Sequence, residues 1–200
     1  MTQAQTFIDG EGDAWFARNR ERLGQHDPVY ERLRARAIVP TRALEVGCAN
    51  GWRLKKLNEA YGCTVAGVEP SKAALDATEL QVAMLEHGAA DVLPWLNSAF
   101  DLVIYGFCLY LTDPEDWFTI VAEGDRVLAD GGHIVIHDFA DGGNPHALRY
   151  EHAEGVLAYH VNFSALWLMH PWYRLVDWHK DDAELVTILE KNTKRIPVWT

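Results

Sequence analysis

Two carboxylates bracket the most chemically specific pattern in the chain. Leu44-Glu45-Val46 is an apolar run that breaks into the small-residue loop Gly47-Cys48-Ala49-Asn50-Gly51. Val65-Ala66-Gly67-Val68 is a second apolar run, and it ends on Glu69. Small residues let backbone approach a ligand, and a carboxylate at the end of the next strand accepts from both hydroxyls of a ribose. The loop reads Gly-x-Ala-x-Gly, not Gly-x-Gly-x-x-Gly, and Glu45 stands just before it. An acid at that point repels a pyrophosphate and attracts a cationic amino-acid end. The pattern favours an adenosine-containing cofactor with a positive tail over a dinucleotide.

The elements that must hold these residues follow from periodicity and turn signals. Residues 15–36 are rich in Arg, Glu and aromatics, and Pro28 divides them into two helices. Strands are expected over residues 42–46, 64–68, 81–85, 100–106 and 133–138, with a helix over 50–61. Ser71 is placed to cap the helix after the second strand. Pro114 opens a helix that runs to about Leu128 and stops at Asp130-Gly131-Gly132. This alternation predicts an α/β, Rossmann-like, doubly wound sheet, mostly parallel. Residues 173–179 and 184–190 read as two strands joined through Lys180-Asp181-Asp182, a C-terminal hairpin. One domain over residues 1–200 is expected: a helical cap (1–40), a cofactor-binding core (41–139), an insertion covering the substrate (140–172) and the hairpin (173–192).

The segment 44–51 resembles the first motif of class I S-adenosylmethionine-dependent methyltransferases, of the type 11-like small bacterial kind. The resemblance runs from about Arg42 to Phe139 and includes Val68-Glu69-Pro70-Ser71, residues 88–95, residues 98–103 and residues 126–136. Ala49 stands where the family usually has a second glycine, so a tighter loop is expected. The resemblance implies S-adenosyl-L-methionine as cofactor. Gly47, Cys48, Asn50 and Gly51 would form its loop, with Glu45 toward the methionine end through water or by holding loop amides. Glu69 would take the ribose beside Pro70, and Asp91 with Ala90 would lie near the adenine. Tyr105, and with it Phe107, would flank the methyl group. In this family the last strand enters the sheet antiparallel, which the C-terminal hairpin resembles.

On the acceptor side the signals are compositional. Seven of the nine histidines lie at or after His133. No His-x-x-x-His pair with a supporting carboxylate falls on one expected helix, so no metal is expected. A general base serves an acceptor that must lose a proton, as a hydroxyl does. His152, in the insertion, is the first candidate for that role, and His137, beside Asp138 at the end of the fifth strand, is the second. Tyr150 and Tyr159 make the insertion a substrate cover. Residues 9–20 resemble the amino-terminal stretch of some small bacterial methylases associated with cell-surface saccharide pathways, which would bring Trp15 and Arg18 over the cofactor and acceptor.

The expected function is methyl transfer to a small molecule, oxygen favoured over nitrogen, with a sugar, nucleotide-sugar or polysaccharide precursor as one acceptor class. The alternatives are a non-catalytic methyltransferase-like binding protein and a nicotinamide-dependent oxidoreductase, for which a second nucleotide-binding half has little chain left. The formal charge of -11 argues against a nucleic-acid partner. No apolar run reaches membrane-span length, and the first residues lack a basic, hydrophobic signal pattern. Three cysteines without Cys-x-x-Cys spacing read as reduced thiols, so a cytoplasmic protein is expected. Nothing in the pattern sets the oligomeric state.

Overall fold

The computed structural model describes residues 1–81, 83–140, 142–181 and 183–195. The chain opens with α1 (Gln3–Thr6), a wide turn over Phe7–Glu11, α2 (Gly12–Asn19) and α3 (Pro28–Ala35). The alternating part follows: β1 (Arg42–Val46), α4 (Trp52–Tyr61), β2 (Thr64–Glu69), α5 (Lys72–Asp76), β3 (Met84–His87) and β4 (Phe100–Gly106). After it come α6 (Trp117–Val127), β5 (Leu128–Phe139), the hairpin strands β6 (His146–Arg149) and β7 (Leu157–His160), α7 (Ser164–Leu168), β8 (Tyr173–Asp181) and β9 (Glu184–Lys191).

Seven strands form one sheet in the order β3-β2-β1-β4-β5-β9-β8. The first five are parallel, and β9 inserts antiparallel between β5 and β8. Between the parallel central strands β1 and β4 the strand order reverses, which opens a crevice at their carboxyl ends. Each face buries its own apolar layer. Val46, Val68, Val103 and Tyr105 pack with Trp167 and Ile120, while Ala43, Val65, Ile104 and Val135 pack with Leu33 and Leu57. Among the described residues no helix is long and apolar enough to cross a membrane.

Three boundaries differ from expectation. The third strand lies at Met84–His87, later than 81–85; residue 82 falls outside the described residues. It is an edge strand with mostly exposed side chains, so it lacks the buried alternation that marks its neighbours. Asp130-Gly131-Gly132 does not end a helix. It lies inside β5, where Gly131 takes φ +78° and the pairing with β4 shifts register between Phe100 and Leu102, a bulge that uses glycine as a helix stop does. Lys180 and Asp181 belong to β8, not to the turn.

Candidate active site

The glycine loop after β1 is shaped by three left-handed residues, Gly47 (φ +72°), Ala49 (φ +48°) and Gly51 (φ +75°). Gly47 and Cys48 donate their amides to the Val68 carbonyl, which ties the loop to the end of β2. A Cβ on Gly47 would lie 2.7 Å from the Cys108 Cβ, so close approach and conformation both require glycine there. Ala49 keeps the same left-handed conformation despite its methyl group. Its amide donates to Glu69 Oε2 at 2.8 Å, and the Ser71 amide donates to Glu69 Oε1 at 2.9 Å. Burial pushes the Glu69 carboxyl up to about 7, although these two amides oppose the shift.

A cleft of about 110 Å³ opens at the carboxyl ends of β1, β2 and β4. Its lining includes Gly47, Glu69, Pro70, Ala90 and Asp91 after the first three strands, the apolar side chains of Phe7, Trp15, Phe107 and Leu111, and the acids Asp113 and Asp116. Burial raises the Asp116 carboxyl, and Asp91, Asp113 and Glu115 raise it further.

Several expected site residues lie away from this lining. Glu45 is buried on the opposite face, where Arg53 pairs with it. Cys48 is buried against Gly67, and Gly51 faces Thr78 and Leu80 as the residue before α4. Asn50 is half-buried and outside the lining. Tyr105 is fully buried beneath the cleft; its ring packs 5.3 Å from that of Trp167, because its strand alternation points it at α6 and α7. Phe107, two residues on, takes φ +51° and does line the cleft.

Neither expected base reaches it. His137 is buried and pairs with Glu184 at 2.9 Å, and burial lowers its pKa. His152 is exposed and edge-on to the Tyr150 ring at 5.3 Å. Among the described residues the carboxylates that line the cleft are Glu69, Asp91, Asp113 and Asp116. The Asp113 and Asp116 positions follow β4 directly, but Asp-Pro reads in sequence as a helix start, which hid them.

The amino-terminal segment closes over the cleft. Asp13 accepts from Ser71 Oγ at 2.7 Å and from the Ala73 amide at 3.0 Å, docking α2 on the start of α5. Gly12 makes that approach possible, since a Cβ there would lie 3.1 Å from the Ser71 nitrogen. Gln3 donates its amide to Asp113 at 2.7 Å and accepts from the Leu157 amide at 2.6 Å. Arg18 pairs with Glu11, and the Tyr150 hydroxyl donates to Glu11 at 2.8 Å and accepts from Arg18 at 2.9 Å. Trp15 is thus in the lining, whereas Arg18 and Tyr150 form a clasp at its edge. Tyr159 lies further out, edge-on to Trp117 at 5.5 Å.

Residues 44–136 match the family model described as methyltransferase domain. The demethylmenaquinone methyltransferase of Staphylococcus aureus is 34% identical over 102 residues, covering 48% of this chain and 42% of the relative. The chain thus aligns with less than half the length of the curated relative it matches. In fold, it is similar to 1,6-didemethyltoxoflavin-N1-methyltransferase of Burkholderia thailandensis, in a structure with bound 1,6-didemethyltoxoflavin and S-adenosylhomocysteine. There the TM-score is 0.78 at 17% identity, covering 94% of this chain and 88% of that one. An S-adenosylmethionine-dependent methyltransferase from Mesorhizobium loti superposes with a TM-score of 0.61 at 16% identity, covering 81% of this chain and 97% of that one. At those identities the likeness is one of fold.

Proposed function

We propose that this chain, which is a class I S-adenosylmethionine-dependent methyltransferase, transfers the methyl group of S-adenosylmethionine to a small planar acceptor. The observation that carries the reading is the two-sided cleft. Its backbone-lined wall, with Glu69, suits an adenosine moiety, and its Phe7, Trp15, Phe107 and Leu111 wall suits a flat apolar ring. That apolar wall favours an aromatic or quinoid acceptor over a sugar, which would leave its hydroxyls unpaired there. The names of two relatives, one acting on demethylmenaquinone and one on a didemethylated toxoflavin, support the same class. Oxygen remains the favoured acceptor atom, and nitrogen is the second choice.

Transfer is a direct displacement in which the enzyme aligns acceptor atom, methyl carbon and sulfur. The sulfonium loses its charge as the methyl leaves, so binding and orientation supply the rate. A hydroxyl acceptor must also lose a proton. Asp116 is the better-placed base, because it lines the cleft and its affinity for a proton is raised; His152 stands outside and serves at most the rim. The covering segments, residues 1–40 and 140–172, exclude water and hold the acceptor in line. The test is a two-stage one. S-adenosylhomocysteine at saturating concentration should raise the melting temperature. A screen with labelled methyl donor should then show turnover on hydroxylated aromatics or reduced quinones. Absence of any thermal shift or heat of binding would refute the reading; turnover confined to saccharides would refute the acceptor class.

A further inference from the structure

The amino-terminal segment is fastened in two different ways on either side of Gly10. Before it, α1 is anchored: Gln3 is buried, its amide donates to Asp113 Oδ2 at 2.7 Å, and its Oε1 accepts from the Leu157 amide at 2.6 Å. Phe7 packs against the apolar layer that holds Val46 and Val103. Beyond Gly10, α2 adds no residue to either apolar layer, although Gly12 and Phe16 are buried. What fastens α2 is polar. Asp13 Oδ1 accepts from both Ser71 Oγ and the Ala73 amide, Arg18 donates to the Tyr150 hydroxyl, and the Trp15 side chain hydrogen-bonds Tyr110. Asp13 and Arg18 are themselves exposed. Gly10 joins the two halves at φ +151°, outside helical conformation, and a Cβ there would meet nothing within 4 Å. An open glycine between an anchored helix and a lightly held one is a place where the chain can swing.

Where α2 rests decides access to Glu69. Gly12 lies on the backbone of Pro70 and Ser71, and Trp15 lines the cleft. Glu69 lines the same cleft yet is only 7% exposed. The cleft holds about 110 Å³, below the roughly 300–1,000 Å³ of small-molecule sites. A nucleoside reaches Glu69 only when the covering segment moves. We propose that α2 is a gate over the cofactor site, swinging about Gly10, and that Asp13 is the positioning residue that latches it. The latch sits on the strand end that carries Glu69: the Ser71 amide donates to Glu69, while the Ser71 hydroxyl donates to Asp13. Closure thus sets α2 on the same short stretch, Glu69 to Ser71, that would grip the nucleoside. Hydrogen bonds close to solvent are replaced by water at small net cost, so the latch is weak enough to release in each turnover. The proposal rests on the methyltransferase reading and adds a moving part to it.

The probe is S-adenosylhomocysteine, with stopped-flow tryptophan fluorescence for its association and dissociation rates and calorimetry for its dissociation constant. A latch acts on passage in both directions, whereas a lost binding contact acts mainly on dissociation. Asp13→Ala should raise both rate constants about fivefold, the net worth of one hydrogen bond. The latch forms with or without ligand, so the dissociation constant should stay within about twofold of wild type. One oxygen takes both bonds, so Asp13→Asn should restore both rates to near wild type. Arg18→Met frees α2 from Tyr150 and should show the same paired rise, which decides the matter if Asp13→Ala does not fold. Faster dissociation with unchanged association, no change in either rate, or an asparagine variant as fast as the alanine one overturns the proposal alone. Failure of S-adenosylhomocysteine to bind the wild-type protein overturns the methyltransferase reading and the proposal together.

Discussion

The two walls of the cleft are made differently. On the cofactor side, from β1 to α5, the contacts are backbone: the Gly47 and Cys48 amides on Val68, and the Ala49 and Ser71 amides on Glu69. At the edge of the cleft, residues 3–19 and the β6–β7 hairpin are joined through the side chains of Gln3, Glu11, Arg18 and Tyr150. A backbone wall tolerates few substitutions and recognises one shape. A side-chain wall can be rebuilt residue by residue, and it comes from segments far apart in the chain. The difference teaches where change can be absorbed: the loop is fixed by backbone conformation, the cover by the identity of its side chains.

The sharpest break of the backbone wall is Gly47→Val. It combines a left-handed conformation with a Cβ 2.7 Å from Cys108 Cβ, and should cost roughly 2–6 kcal/mol of folding stability by strain and overpacking together. Urea denaturation measures it, and a variant as stable as wild type would mean the loop is not built as described. Next is Glu69→Ala, expected to weaken S-adenosylhomocysteine by about 1.5–3 kcal/mol, the scale of losing a charged hydrogen-bond partner. Calorimetry that returned an unchanged dissociation constant would place the ribose acid elsewhere.

A third effect comes from acids that the backbone half buries without ligand. Glu45, Glu69 and Asp138 are each pushed up to about 7 by burial. A carboxylate with a raised folded-state pKa binds its proton more readily folded than unfolded, so stability rises as pH falls through that value. His133 and His137, lowered by burial, act in the opposite sense, but only below their ordinary value of 6.5. The ligand-free protein should therefore gain a few degrees of melting temperature between pH 8 and 6.5. A melting temperature that fell over that window would show these acids to be better compensated than the geometry implies. The smallest effect belongs to the side-chain wall: Tyr150→Phe removes the hydroxyl shared by Glu11 and Arg18 and should cost about 1 kcal/mol of stability. It should raise the acceptor Michaelis constant and leave cofactor affinity alone. Weakened cofactor binding in that variant would mean the two walls are not independent.

The same difference explains what was legible in the sequence. β1, β2 and β4 are apolar runs bounded by small residues, and the ends of β1 and β2 carry Gly47 and Glu69, so local pattern pointed to two residues that line the cleft. β3 slipped because an exposed edge strand has no buried face to set its phase, and the start of β5 slipped because a bulge and a helix stop use glycine alike. The acceptor wall had no local signal. Gln3 meets Leu157 across 154 residues of chain, and Glu11 meets Tyr150 across 139. The histidines drew attention by residue type, yet burial removes His137 from the cleft and exposure leaves His152 outside it.

The β6–β7 hairpin shares no strand pairing with the main sheet. The crossover that carries it is anchored separately by α7, whose Trp167 is wholly buried. Yet Val156 and Ala158 are buried in the apolar layer that also holds Val46 and Val103, and Tyr150 and Leu157 bond the amino-terminal segment. In that sense the hairpin is a strut between the core and the segment that closes over the cleft, and a change at either of its ends is felt at the other.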